Sequence, residues 1–190
     1  MSSQRTASLA GRTGAMPRST PRRGLLVFAL ALATSTGTLQ QSAVIPLLPR
    51  LEQSLHTSVS AVSWVLTVSL LCGAVATPLF GRLGDMYGRR RMLLVSLGLL
   101  VVGSVVGALS ASIATLMIAR VLQGLSGAIL PLAIGAVRDL LPRDKATTVI
   151  GVLSATMGIG AGGGMIFSGL IAEYTTGYRI VFWVIAALAA

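Results

Sequence analysis

Long uncharged runs, parted by short polar or charged segments, set the pattern of this chain. They cover roughly Gly24–Leu47, Val59–Phe80, Met92–Leu109, Ile113–Val137 (broken only by Arg120) and Ala146–Ala172, and a last run begins near Arg179. A helix rises ~1.5 Å per residue, so each of the first five is long enough to cross a hydrocarbon core of ~30 Å. The last, Ile180–Ala190, covers only ~16 Å and is expected to be an incomplete helix. The predicted fold class is an all-α membrane protein, a six-transmembrane-helix bundle over residues 24–190 with its sixth helix truncated.

Residues 1–23, rich in Ser, Thr, Pro and Arg, read as a disordered cytoplasmic tail. Arg22-Arg23 before Leu25–Leu32 also has the form of a signal peptide. The uncharged stretch continues to Pro49, however, which suits a retained span better than a short cleaved core.

Composition narrows the class further. A mean hydropathy of +0.84 with 54% hydrophobic and 11% charged residues excludes a soluble globular domain, in which about a quarter of residues are charged. The net charge of +10 lies at the ends of the apolar runs, and only 5% of residues are aromatic, so nucleic acid is not an expected partner. Twelve basic residues fall in the tail, in Arg82–Arg91 and in Arg138–Lys145, against Arg50 and Arg179 on the opposite side. That bias predicts a multi-pass protein of the cell membrane with a cytoplasmic N-terminus. Cys72 and His56 each stand alone, so no disulfide, metal site or cofactor is expected. Neither is an enzyme, for want of a nucleophile–base pair. Gly158, Gly160 and Gly163 match a dinucleotide fingerprint as a string, but no strand precedes them.

Four side-chain patterns are candidates for function. The first span carries Thr34, Thr38 and Gln41 on one face, and Thr67 stands in the second. Polar groups are costly against lipid, so these should face a wet cavity or hydrogen-bond between helices. Arg120, Gln123 and Gly124 share a face of the fourth span. Arg120 either snorkels to the outer interface or points inward for a functional purpose. Gly103 and Gly107 make a close-packing face on the third span, and Gly151, Gly160, Gly164 and Gly169 give the fifth its small residues. Between the second and third spans lies Gly81-Arg82-Leu83-Gly84-Asp85-Met86-Tyr87-Gly88-Arg89-Arg90-Arg91, a dense charged turn. Its arginines alone would serve as a topology anchor.

That turn, Gly-x-Leu-x-Asp-x-x-Gly-Arg-Arg, resembles the signature loop between the second and third helices of the major facilitator superfamily. The resemblance implies a cytoplasmic latch formed by Gly81, Gly84, Asp85, Gly88, Arg89 and Arg90, with Asp85 and Arg89 gripping a partner half. Arg120-x-x-Gln123-Gly124-x-x-Gly127 resembles the superfamily's fourth-helix motif, which implies a coupling role for Arg120, Gln123 and Gly124. The spacing Gly151, Gly160, Gly164, Ser168-Gly169 resembles the fifth-helix motif of antiporters, with Met165 where the family has proline and Ser168 where it has glycine. Ser63-Trp64-Val65-Leu66-Thr67 is similar to the drug–proton antiporter branch, which has tyrosine at the place of Ser69; Trp64 suits an interfacial belt equally. The branch has an aspartate in its first helix where Leu39-Gln40-Gln41-Ser42 stands here, so no deep carboxylate is available to carry a proton.

Taken together, the resemblance implies the N-terminal half of a secondary transporter, completed by a missing C-terminal half. The expected activity is proton antiport of small drug-like or amphipathic molecules by alternating access, with the bilayer, a small-molecule substrate and a proton as partners. Import of a metabolite, or a non-transporting truncated membrane protein, are the alternatives.

Overall fold

The computed structural model describes residues 21–174 and 178–190, which form helices and short turns with no strand among them. All of the predicted tail except its last three residues therefore lies outside the described part. Pro21, Arg22 and Arg23 instead open the first helix.

Proline and glycine decide where the rods stop. Helix α1 (Pro21–Ala43) ends short of the predicted Leu47 because Pro46 has no N–H for the Ser42 carbonyl; a 3-10 turn (Ile45–Leu47) and a short helix α2 (Leu48–Ser54) follow. Helix α3 (Val59–Tyr87) starts where Ser58 Oγ accepts from the Ala61 N–H at 3.3 Å. It does not stop at Phe80. Most of the supposed charged turn is helical through Tyr87, and Gly88 alone, at φ 98°, reverses the chain into α4 (Arg89–Leu109). Charged residues sit comfortably in a helix once it has left the apolar zone, so apolar length understated the rod. After Ser112 caps the next start, α5 (Ile113–Leu125), a 3-10 turn (Ser126–Ala128) and α6 (Ile129–Leu140) make one interrupted rod. The interruption traces to Pro131, whose ring opposes the Gly127 carbonyl four residues back. Helices α7 (Arg143–Tyr174) and α8 (Arg179–Ala189) complete the described chain.

Four of these rods are by length and composition able to cross a membrane: α3, α4, α5–α6 together, and α7. The first expected span is not among them, because the hydroxyls and amides of Thr34–Gln41 lower its hydropathy; several are buried inside the bundle. Apolar side chains such as Leu71, Val75, Ile159 and Ile166 are exposed on the outside, as lipid contact requires.

Helix packing relies on small residues, since lipid offers no hydrophobic drive between apolar rods. Helix α1 runs parallel to α7: Gly160 lies under Ser35 and Thr38, and Gly164 under Leu39 and Ser42. Helix α3 runs parallel to α5–α6, where a Cβ on Gly124 would come within 2.5 Å of the Ser69 carbonyl. Helix α4 lies antiparallel to α5, with Gly103 against Gln123, and to α8, with Gly107 against Phe182. The expected packing role of Gly103 and Gly107 thus corresponds to two different neighbours. Two apolar clusters result; along α5–α6, Arg120 and Gln123 fall between Leu116 of one and Ala128 of the other.

Candidate functional site

At one end of the bundle Arg89 is shared by two carboxylates. Its Nε and Nη2 donate to Asp85 Oδ1 at 3.2 and 2.9 Å, and its Nη1 donates to Asp139 Oδ1 at 3.2 Å. Two glycines make this possible. A Cβ on Gly135 would lie 2.6 Å from Arg89 Nη1, so α6 has a groove for the side chain, while Gly84 admits Leu132. A Cβ added at Gly81 or Gly88 would meet nothing within 4 Å; Gly88 contributes its backbone angle. Arg90 is exposed. The family resemblance directs Asp85 and Arg89 towards a partner half. In this structure they pair with each other and with α6 of the same bundle. Asp139 was missed because the predicted span stopped at Val137; α6 runs to Leu140, which puts Asp139 on its last turn beside Arg138. The carboxylates are 64% and 59% exposed and Arg89 28%. Pairs this wet are worth roughly 0.2–1 kcal/mol each, enough to bias an arrangement and weak enough to exchange.

In the middle of the bundle, Gln123 Nε2 donates to Ser104 Oγ and Gln123 Oε1 accepts from Gln40 Nε2, both at 3.0 Å. This chain of buried amides ties α1, α4 and α5 together. Arg120, one turn earlier, is 1% exposed and its Cζ sits 5.3 Å from the Phe182 ring centroid. It points inward, and snorkelling is not its arrangement here. Gly124 lets the α3 backbone approach.

Beside this layer opens a cavity of about 440 Å³. Helix α1 contributes Thr34, Thr38, Gln40 and Gln41; α3 contributes Ser69, Gly73 and Thr77; α5–α6 contributes Gln123, Ser126 and Gly127; and α7 contributes Met157. Its lining carries hydroxyls, amides and bare glycine backbone, with no ionisable side chain. Such a wall can hydrogen-bond a guest and can pack against it, without selecting for charge. Helix–helix bonding and cavity lining, left open for the α1 stripe, both occur. Thr34 Oγ1 lies 3.3 Å from Thr156 Oγ1, and Ser69 Oγ donates to Gln41 Oε1 at 3.5 Å. Thr67 is not in the lining. It lies two residues before Ser69, the first α3 residue of the lining, and its hydroxyl donates to its own helix at the Ser63 carbonyl, 3.1 Å away.

Two of the four glycines expected to pack α7 face another helix and two do not. Gly160 and Gly164 lie on the buried face with Leu153 and Ser168, whereas a Cβ added at Gly151 or Gly169 would meet no neighbour within 4 Å. Nine residues separate Gly151 from Gly160, about 180° of helical rotation, which turns Gly151 outward.

Residues 30–190 match the family model described as Major Facilitator Superfamily. Among curated relatives, a major facilitator-type transporter of Aspergillus terreus is 34% identical over 161 residues, 84% of this chain and 29% of its own length. The tetracenomycin C resistance and export protein of Streptomyces glaucescens is 34% identical over 172 residues, 87% of this chain and 32% of its own. The efflux pump dotC of Dothistroma septosporum is 32% identical over 161 residues, 84% of this chain and 27% of its own. This chain thus spans between about a quarter and a third of the length of the curated relatives it matches. The crystal structure of the human organic anion transporter MFSD10 superposes with a TM-score of 0.64 at 20% identity, covering 90% of this chain and 46% of that one; the likeness is one of fold.

Proposed function

Because this chain belongs to the major facilitator superfamily of membrane transporters, we propose that it forms one wall of the transport path of an exporter for small amphipathic molecules. The observation that carries this reading is the cavity between α1, α3, α5–α6 and α7, large enough for part of a drug-sized guest and lined mainly by apolar surface with a few uncharged polar groups. Relatives named for export and efflux support the direction. A second set of helices from the complete protein closes the open side, and the guest binds between the two, near the membrane midplane.

The movement is alternating access by rigid-body rocking of the two sets. The exposed Asp85–Arg89–Asp139 contact is the latch: in one arrangement Arg89 stays within this bundle, and in the other the three groups exchange partners across the cytoplasmic face. Protons drive the cycle, with Arg120, Gln123 and Gly124 forming the coupling element. No carboxylate lines the cavity among the described residues. The protein sits in the cell membrane with its basic ends in the cytoplasm.

The test is uptake of a fluorescent amphipathic cation into inverted membrane vesicles containing the complete protein. Uptake that collapses on adding a protonophore, and falls at least ~tenfold in Gln41→Ala, is the expected result. Protonophore-insensitive uptake sinks the coupling. Uptake only in right-side-out vesicles makes the protein an importer, and none in either orientation removes transport altogether.

A further inference from the structure

The end of α6 and the start of α7 form a second concavity, apart from the cavity that α1 lines. Leu141 precedes a proline, whose ring drives the residue before it out of the helical region. Leu141 is accordingly extended, at φ −121° and ψ 145°, so α6 stops at Leu140 and α7 starts at Arg143. A link this short sets the last turn of one rod beside the first turn of the next. Arg138 and Arg143 thereby come to one cleft of about 340 Å³, whose other walls are Leu141, Ala146, Thr147 and Ile150.

The charge of this cleft is unbalanced. Neither arginine is in an ion pair among the described residues, since both pairs present belong to Arg89. Asp139, next to Arg138, is held by Arg89, and Asp144 does not line the cleft. The Thr147 hydroxyl donates to the Arg143 carbonyl at 3.1 Å, which leaves the two guanidinium groups as the donors. Planar guanidinium groups offer paired N–H bonds that match phosphate oxygens. The walls beneath them are apolar. Ile150 lies seven residues past Arg143, about 10 Å further along α7, a rod able to cross a membrane. Leu140, beside the cleft, is exposed, so the apolar surface continues onto the outside of the bundle. A topology anchor needs cations at this end of the rods but no cleft between them. A cationic lip over an apolar wall complements an amphiphile with an anionic head, and suits a small anion in water only in part.

We infer that the Arg138–Arg143 cleft binds an anionic phospholipid, its phosphate on the two guanidinium groups and the upper part of a chain against Leu141 and Ile150. The inference rests on these rods crossing a bilayer, and on neither the direction of transport nor its coupling. A binding measurement reads it whether or not transport is seen.

The test mixes the complete protein in detergent with phosphatidylglycerol, phosphatidylcholine or inorganic phosphate, and counts bound lipid by native mass spectrometry. Phosphatidylglycerol should be retained at concentrations too low for phosphatidylcholine to be. Arg138→Gln and Arg143→Gln should each raise the half-saturating phosphatidylglycerol concentration about fivefold, and together about thirtyfold. Arg138→Lys combined with Arg143→Lys keeps both charges and should preserve most of the retention. Arg91→Gln removes one charge from the start of α4, outside the cleft, and should leave the half-saturating concentration unchanged. Equal retention of the two lipids, or retention of neither, overturns the inference. So does a loss in Arg91→Gln as large as that in Arg138→Gln. Displacement of the lipid by inorganic phosphate at equal concentration would make the cleft a site for free anions, and overturns it as well.

Discussion

Arg89 stands between two carboxylates on two helices, and the exposure of all three groups keeps each contact weak. Neutralising either acid should therefore leave folding nearly intact and act on movement. Asp85→Asn and Asp139→Asn are each expected to lower unfolding stability by no more than the ~0.2–1 kcal/mol of an exposed pair, while reducing vesicle uptake severely. Full uptake by either variant, at normal membrane levels, would remove the latch. Gly88 makes the opposite case, one of backbone rather than charge. At φ 98° any side chain is strained, so Gly88→Ala should cost about 1–3 kcal/mol in thermal unfolding. Gly81→Ala, where an added Cβ meets nothing, should be neutral. Equal losses at the two positions would mean that the turn is not held by this angle.

Between elements, the α1–α7 contact depends most on what is missing from it. Gly160 and Gly164 bring the α7 backbone against Ser35, Thr38, Leu39 and Ser42, with no room for a Cβ. Gly164→Val should force the two helices apart at an overpacking cost of roughly 1–3 kcal/mol, read as a lower Tm, and should spoil the cavity that α1 and α7 both line. Gly151→Ala and Gly169→Ala have open space around them and should change Tm little. A Gly164→Val variant as stable as the parent would show that the helices do not pack this way. The glycine spacing was plain in the sequence. Which glycines face α1 was not, because motif spacing does not carry the phase of the helix relative to its neighbour.

For the whole molecule, the question is which end faces the cytoplasm. With Cys72 replaced by serine and a single cysteine introduced at Arg90, an impermeant maleimide should label broken cells and leave intact cells unlabelled. Labelling of intact cells would invert the orientation and with it the proposed direction of transport. The helical rods and the family were legible from the chain alone, because apolar length, charge bias and the Gly81–Arg91 pattern are all local in sequence. The cavity was legible only in part: the α1 stripe pointed to Thr34, Thr38 and Gln41, while Gln40, Ser69 and Thr77 were not singled out and Thr67 lies outside this lining.

By itself, the sequence determined that the chain is a set of apolar rods, most of them of membrane length, parted by short polar segments, since hydropathy acts within a few residues. The breaks at Pro46 and Gly88 were located only by the structure. Only the tertiary structure decided what those helices bring together. Asp139 reaches Arg89 across fifty positions, Gln40 meets Gln123, and Phe182 covers one face of Arg120. Each such pairing depends on the depth and rotation at which two rods settle. Those are set by the small residues at the contact on both helices at once, and no single stretch of the chain contains them.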